Sequence, residues 1–196
     1  MDIQNSLKSL KQLADMVYPL TKEEWDAFSS IWTNYTAKRK EVITAAGDRE
    51  SYLYFVLEGV QRVYYYDEQG REATLVFTYP PSFGGVLDAM LLEQNSKYTY
   101  EALTHSSFLK ASFSELKELM NKYPGINLMI IKGVSAALSG LLERLAELQT
   151  FSSEEKFRKL LGRSPHILQI VPHKYLANYL GIDPTNFSKL INRVII

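Results

Sequence analysis

The chain has 196 residues, of which 46% are hydrophobic, and its 22 Lys and Arg balance 22 Asp and Glu. It contains no Cys, which excludes disulfides, iron–sulfur clusters and zinc sites built from thiolates. No apolar run approaches the roughly 18 residues of a membrane span, and the N-terminus lacks the apolar core of an export signal. We therefore expect a cytoplasmic protein with no membrane partner.

The charges are unevenly distributed along the chain. Residues 1–150 hold 15 Lys and Arg against 19 Asp and Glu, a net charge of −4, whereas residues 151–196 hold 7 against 3, a net of +4. A swing of this size also arises by chance. A basic C-terminal part is nevertheless where contact with nucleic acid is expected.

Two helices are predicted at the N-terminus. Thr21 and Glu24 have the spacing of a capping box, which predicts a second helix through Trp25, Phe28 and Ile31–Trp32. In the first helix, apolar residues recur at three- and four-residue steps: Ile3, Leu7, Leu10, Leu13, Ala14 and Val17.

From about Lys40 to Ser112 the pattern indicates β-structure. Turn signals occur at Glu58–Gly59 and at residues 67–70, and the helical period returns at Phe113. Short strands at this spacing predict an all-β roll or barrel. Runs rich in Val, Tyr, Phe and Thr lie at 41–44, 52–57, 60–66, 73–77 and 107–111.

A long helix is predicted after Pro124. Its apolar positions step by 3 and 4 alternately, as in a coiled-coil seam, and predict a helix that pairs with a second copy of the chain. The core helix of a single domain would carry the same pattern. Ser152 and Glu155 form another capping box, which predicts a new helix and a domain boundary. The seam residues, and hence the expected dimer interface, are Leu128, Ile131, Ser135, Leu138, Leu142 and Leu145.

The segment 172–191 predicts a helix-turn-helix. Pro172 suits the first position of one helix, and Gly181 suits the positive φ just past its end. Asp183 then caps a second helix that begins at Pro184. A plain helical hairpin with a solvated polar face is the alternative.

The polar side chains of this segment suit DNA, because Asn can pair with adenine and Lys with guanine in the major groove. Their positions are those of a recognition helix and of the N-terminus of the helix before it. The predicted DNA-binding residues are His173, Lys174, Thr185, Asn186, Ser188, Lys189 and Arg193.

The order of β-roll, seam helix and helix-turn-helix resembles the cAMP receptor protein/Fnr family of bacterial transcription regulators. The resemblance spans about residues 36–191, and it rests on Leu57–Gly59, residues 67–70, Ser82–Gly85 and Tyr175–Ile191.

This resemblance implies an α+β fold in three parts. Residues 1–123 would form a double-stranded, jelly-roll-like β-roll with flanking helices, which senses an effector. Residues 124–151 would form a dimerisation helix, and residues 152–196 a helix-turn-helix domain. The partners implied are two-fold symmetric promoter DNA, RNA polymerase and a small-molecule effector. Because the family usually continues into a β-hairpin wing and this sequence stops at Ile196, we expect most of the wing to be lacking.

The sequence departs from the family's cyclic-nucleotide cassette. Where the family has Gly-Glu-Leu to hold the ribose, this chain has Gly85-Val86-Leu87. Lys97-Tyr98 stands in place of the phosphate-binding Arg-Ser, and Leu141-Leu142 in place of hydroxyls that contact adenine. We therefore expect an effector other than cAMP, or none. The candidate effector pocket comprises Phe83, Gly84, Gly85, Val86, Leu87, Lys97, Tyr98 and Thr99, although the last three also fit an ordinary strand.

No catalytic residue, metal ligand or cofactor is predicted. The three His residues, His105, His166 and His173, lack the supporting pattern of haem or metal ligands. Two alternatives remain open, a metal-dependent enzyme built on the roll and a sensing or interaction module that no longer binds DNA.

Overall fold

The computed structural model describes residues 3–193 and has an α+β architecture. Its helices are α1 Ile3–Val17, α2 Lys22–Ser30, α3 Leu87–Leu91, α4 Phe113–Lys122, α5 Pro124–Thr150, α6 Ser153–Arg163, α7 Ile167–Ile170, α8 His173–Leu180 and α9 Pro184–Arg193. Its strands are β1 Trp32–Ala37, β2 Val42–Thr44, β3 Tyr52–Glu58, β4 Gln61–Tyr66, β5 Glu72–Thr78, β6 Ser82–Gly84, β7 Thr99–Ala102 and β8 Ser106–Ser112.

The strands form a roll of two antiparallel four-stranded sheets. One sheet has the order β1-β8-β3-β6 and the other β2-β7-β4-β5. The sheets pack face to face, since a single buried cluster joins Tyr54 and Phe108 of the first sheet to Val63 and Tyr100 of the second. The fold class predicted from the sequence is confirmed.

The outer face of the first sheet is covered by helices. Phe55 and Leu109 on that face are buried against Leu10 of α1, Phe28 of α2 and Ile126 of α5. The inward and outward alternation along β3 and β8 supplies apolar side chains to both faces, as expected for a sheet that lies between two layers.

The C-terminal helices form a second core. Phe157, Leu176 and Phe187 come together from α6, α8 and α9, and the cluster also includes Val60 and Leu103 of the roll. The C-terminal part of the chain therefore packs against the roll.

The predicted helix starts are confirmed at Thr21 and Ser152, where the side chain of Glu24 or Glu155 completes a capping box. The second helix ends earlier than predicted. Ile31 is its C-cap, and Trp32 begins β1 because it pairs with Ala111 of β8 and is buried beside Phe28. The predicted wing concerns residues after Arg193, which lie outside the described part of the chain.

The strand runs predicted from the sequence correspond to β2, β3, β4, β5 and β8, and the sequence did not identify β1, β6 and β7. The edge strand β6 has only three residues, and β1 continues directly from a helical pattern. Short strands of this kind are defined by their partners in the sheet rather than by their own periodicity.

Within residues 3–193, one helix, α5, is long and apolar enough to cross a membrane by length and composition. The sequence prediction missed this because it sought an uninterrupted apolar run, whereas α5 contains Lys132, Glu143 and Arg144. By itself this observation is weak evidence for insertion.

Candidate DNA-binding and effector sites

The helix-turn-helix is built from local capping interactions. Gly181 ends α8 with a φ of 62°, and the backbone amides of Gly181 and Ile182 donate to the carbonyls of Asn178 and Ala177. Asp183 Oδ1 accepts from the amides of Thr185 at 2.9 Å and of Asn186 at 3.2 Å, which caps α9. Helix α8 begins at His173, one residue later than predicted. Pro172, expected at the first helical position, is its N-cap because its ψ of 133° is not helical.

The apolar face of α9 fixes its orientation. Phe187 is buried edge-to-face against Phe157, with ring centroids 5.4 Å apart, and Leu190 lies in the same cluster. The opposite face of α9 therefore points to solvent. The predicted DNA-binding residues are all exposed: His173, Lys174, Thr185, Asn186, Ser188, Lys189 and Arg193.

The exposed face carries positive charge that no described carboxylate neutralises. Lys189 and Arg193 form no ion pair with any residue of 3–193. Ser188 is less available than its neighbours, since its hydroxyl donates to the Pro184 carbonyl at 3.0 Å. Asn192, also exposed, adds an amide to this face.

Side chains from both sheets fill the interior of the roll. Tyr54 lies at the centre of an aromatic cluster, with its ring centroid 5.7 to 5.8 Å from those of Tyr35, Tyr100 and Phe108. A side chain at Gly84 would bring a Cβ within 2.4 Å of the Tyr100 hydroxyl, so this glycine permits the close packing.

Glu50 places a buried carboxylate beside the predicted effector segment, and sequence reasoning missed it. It accepts from Thr44 Oγ1 at 2.7 Å, from the Tyr52 amide at 3.2 Å and from the Val86 amide at 3.2 Å. Burial raises the pKa of Glu50, and these hydrogen bonds offset only part of that effect. Its position before β3 gave no local signal for this site, because the Val86 amide, which it contacts in the effector segment, is 36 residues away in sequence.

The predicted effector residues divide into two groups. Lys97 is exposed, and the hydroxyl of Thr99 accepts from the Ala46 amide at 3.3 Å, so both lie outside the cavity described next. The other six contribute to that cavity: Phe83, Gly84, Gly85, Val86, Leu87 and Tyr98.

This cavity, of about 970 Å³, lies between the roll, α5 and the C-terminal helices. The β5–β6 region and α3 form one wall, α5 forms another, and α6, α7 and α8 close the third side. Its volume is at the upper end of the range of roughly 300–1,000 Å³ for small-molecule sites. The arrangement can accommodate an organic ligand that touches both the roll and the C-terminal helices.

Two side chains attach the helix-turn-helix to the exposed edge of β5. The side-chain amide of Asn178 accepts a hydrogen bond from the backbone amide of Thr74 at 2.6 Å and donates one to the backbone carbonyl of Glu72 at 2.7 Å. These two bonds replace those that a neighbouring strand would form with β5. Arg144 of α5 donates to the carbonyls of Leu75 and Tyr179, both at 2.6 Å. The edge strand is thereby paired by side chains of other elements.

A buried ionic network lies next to this edge. Arg62, which is 3% exposed, contacts Glu72 at 2.6 Å and Glu101 at 3.0 Å. Its guanidinium also lies 4.0 Å from the ring centroid of Tyr175 of α8, and Lys40 donates to the Tyr175 hydroxyl. The network connects the roll to the first helix of the helix-turn-helix.

The predicted seam lies on the surface of the monomer. Leu138 is 56% and Leu142 is 57% exposed, and the other seam positions are exposed as well. Val134 and Leu141, which were not predicted as interface residues, are exposed as well, on the side of α5 next to the seam. A contiguous exposed apolar stripe such as the seam marks a protein or membrane interaction surface.

Comparison with known proteins identifies the roll. Residues 36–123 match the model of the cyclic nucleotide-binding domain. An anaerobic regulatory protein of Aggregatibacter actinomycetemcomitans is 24% identical over 197 aligned positions, which cover 94% of this chain and 76% of the relative. The chain is therefore similar to regulators of the cAMP receptor protein/Fnr family, and residues 36–123 have the fold of the cyclic nucleotide-binding domain.

Solved structures of the cAMP receptor protein/Fnr family have the same fold. FixK2 from Bradyrhizobium japonicum has a TM-score of 0.75 at 16% identity, with 83% of this chain and 84% of that chain covered. The catabolite activator protein of Thermus thermophilus has a TM-score of 0.57 at 23% identity, with 91% and 85% covered. The likeness extends beyond the matched domain into the C-terminal helices, because residues 36–123 alone are less than half of the chain.

The part of the chain that the structure describes contains no cluster of potential metal ligands. Within residues 3–193, no three His, Asp or Glu side chains are placed to hold an ion together. The relatives found are regulatory proteins rather than enzymes.

Proposed function

We propose that this regulator binds DNA directly as a homodimer, through the exposed face of α9, and that its roll does not bind cyclic nucleotides. The observation that carries the proposal is a capped helix-turn-helix whose second helix exposes Thr185, Asn186, Lys189 and Arg193. Amide and cationic side chains on such a helix suit base edges and phosphates in the major groove.

The exposed seam of α5 supports the homodimer. Fully burying a Leu side chain contributes about 1.5–3 kcal/mol, and the leucines of the seam are 38% to 57% exposed, so each would contribute part of that energy to the interface. In a parallel pair of α5 helices, the two α9 helices would enter successive major grooves about 34 Å apart, on a two-fold symmetric promoter site. Contact with RNA polymerase and a cytoplasmic location are part of the same proposal.

The filled roll supports the absence of cyclic-nucleotide binding. The Glu50 carboxylate already accepts the Val86 amide at the start of α3, and a second anion there would be repelled by it. Lys97 points to solvent rather than into the roll. Val86 in place of a ribose-binding carboxylate agrees with this arrangement.

Selection of genomic DNA fragments by the purified dimer tests the proposal. We expect a two-fold symmetric motif with half-site centres roughly 10 base pairs apart. Lys189→Ala or Asn186→Ala should weaken binding to that motif about 5- to 150-fold, because a base contact contributes about 1–3 kcal/mol.

Lys8→Ala is the matched control, because it removes one exposed positive charge from α1 and should leave DNA affinity unchanged. A folded dimer that enriches no sequence at low salt would contradict the proposal and favour an interaction module that no longer reads DNA. Saturable binding of cAMP would contradict the second half of the proposal.

A further inference from the structure

The cavity between the roll, α5 and the C-terminal helices has largely apolar walls. The roll contributes Phe77 and Phe83, α5 contributes Val134 and Leu141, and the C-terminal helices contribute Leu160 and Ile167. Such walls suit a hydrophobic ligand body better than a sugar or a nucleotide.

The side of α5 that lines the cavity is distinct from the seam. Val134, Ala137, Leu141, Arg144 and Leu148 step by 3 and 4, as the seam does, but they are displaced from it by one residue. One residue corresponds to a rotation of roughly 100° about the helix axis. A second copy paired along the seam would therefore leave most of the cavity wall free, with Leu138 shared between the two faces.

Arg144 is an exception in this apolar lining. Its guanidinium donates to the carbonyls of Thr74, Leu75 and Tyr179, yet its Nε is buried and has no hydrogen-bond partner. Arg144 forms no ion pair with any residue of 3–193, and the nearby Glu147 pairs with Arg163 instead. Burial lowers the pKa of Arg144, and the charge of Arg163 acts in the same direction.

A buried cation with a free donor is costly unless an anion compensates it. Lys156 and Arg163, which also line the cavity, are matched in number by Asp88 and Glu147, so Arg144 leaves the lining with one net positive charge. The site therefore favours a ligand that is negatively charged at one end and apolar elsewhere.

We infer that this cavity is the effector site and that it takes an apolar organic anion, a carboxylate on an aromatic or aliphatic body, with the carboxylate at Arg144. This inference rests on the proposed function and specifies the ligand class of the regulator. The bound molecule would touch α3 and β5 of the roll and also α6 and α7. It would therefore bias the pose of the helix-turn-helix relative to the roll.

Calorimetric titration of the full-length dimer tests the inference, with 2-naphthoate and decanoate as probes and the neutral 2-naphthylmethanol as comparison. We expect saturable binding of both anions, one per chain, at least tenfold tighter than that of the neutral compound. Arg144→Met should remove the preference for the anion over the neutral compound.

Ala137→Trp fills the cavity and leaves Arg144 in place, so it should weaken binding of the anions at least tenfold. Ala136→Trp is the matched control, because position 136 is the adjacent α5 residue, outside both the cavity lining and the seam, and it should bind as the wild type does. Circular dichroism and sedimentation establish that each variant is folded and dimeric.

Absence of saturable binding by both anions overturns the inference, as does equal affinity for the neutral compound or wild-type affinity in Ala137→Trp. The titration contains no DNA, so its failure is separable from failure of the proposed function. A protein that selects a symmetric DNA site but ignores both anions would refute the effector site alone.

Discussion

Glu50 illustrates how a single buried residue can occupy hydrogen-bond donors inside the roll. It is 3% exposed, and its carboxyl group accepts hydrogen bonds from Thr44, Tyr52 and Val86. The roll has the fold of the cyclic nucleotide-binding domain, and Tyr54 and Tyr100 pack in its interior. Under the proposed function, residues such as Glu50 rather than the fold itself decide which ligand binds.

The substitution Glu50→Gln tests this environment through the pH dependence of the free energy of unfolding. Because burial raises the folded-state pKa of Glu50, its contribution to stability is fully present below the unfolded-state pKa of about 4.3 and is lost as pH rises through the folded value. The free energy of unfolding of the wild type, relative to Glu50→Gln, should therefore be larger at pH 4.5 than at pH 8.

Urea unfolding of both proteins at the two pH values measures this difference. Glu58→Gln, at the exposed end of β3, provides the control for replacing an exposed carboxyl group by an amide. A difference between wild type and Glu50→Gln that is independent of pH would show that the carboxyl titrates as it does in the unfolded chain.

At the scale of elements, α5 has three different surfaces. Its N-terminal turns pack under the first sheet through Ile126 and Met129, its seam is exposed, and Arg144 and Leu148 line the cavity. The exposed seam also accounts for the membrane-like composition of the helix, because the residues that would face lipid are those that would face a second α5. Dimerisation and membrane insertion therefore compete as explanations of the same stripe.

Leu142→Glu separates these explanations. Two copies of the substitution would place two charges in the seam and remove two buried leucines, so the dissociation constant of the dimer should rise on the order of 100-fold or more. Ala136→Glu, on the outer face of α5, should leave dimerisation unchanged.

Sedimentation velocity without detergent provides the measurement. A wild-type protein that remains monomeric at tens of micromolar, or that stays soluble only in detergent, would contradict the dimer.

At the scale of the whole molecule, the helix-turn-helix is attached to the roll through polar contacts rather than through a flexible connection. Asn178 and Arg144 bind the edge of β5, and Tyr175 stacks on the buried Arg62. Of these residues, Arg144 lines the cavity, as do Tyr179 and Leu180 of α8. Occupancy of the cavity and docking of α8 are therefore expected to be coupled.

Asn178→Ala tests the docking. It removes the acceptor of the Thr74 amide, which lies at the outer edge of β5 beneath α8, and a hydrogen bond of this kind contributes about 1 kcal/mol. The Thr74 amide should exchange with solvent severalfold faster, as measured by NMR hydrogen exchange.

Asn192→Ala, on the exposed face of α9, should leave the exchange rate of the Thr74 amide unchanged. Unaltered protection in Asn178→Ala would mean that the edge of β5 is covered without this contact.

Much of the fold was predictable because its signals are local. The capping boxes at Thr21 and Ser152, the turn at Gly181 and the cap at Asp183 each depend on residues within four positions of one another. The apolar periods of α1, α5 and α9 likewise follow from helix geometry alone. β6 and β7 were not predictable in this way, because Phe83 and Tyr100 acquire their roles from strands distant in sequence.

The helix-turn-helix, the seam and the loss of the cyclic-nucleotide cassette could be predicted from the sequence, since each is a pattern of residue types at short spacing. The tertiary structure was needed to show that Glu50 lies beside Val86, that Arg144 has a buried Nε without a partner and that a cavity lies between the roll, α5 and α6. Burial and the partners of a charge depend on contacts between residues 36 to 106 positions apart, and no local pattern encodes such contacts.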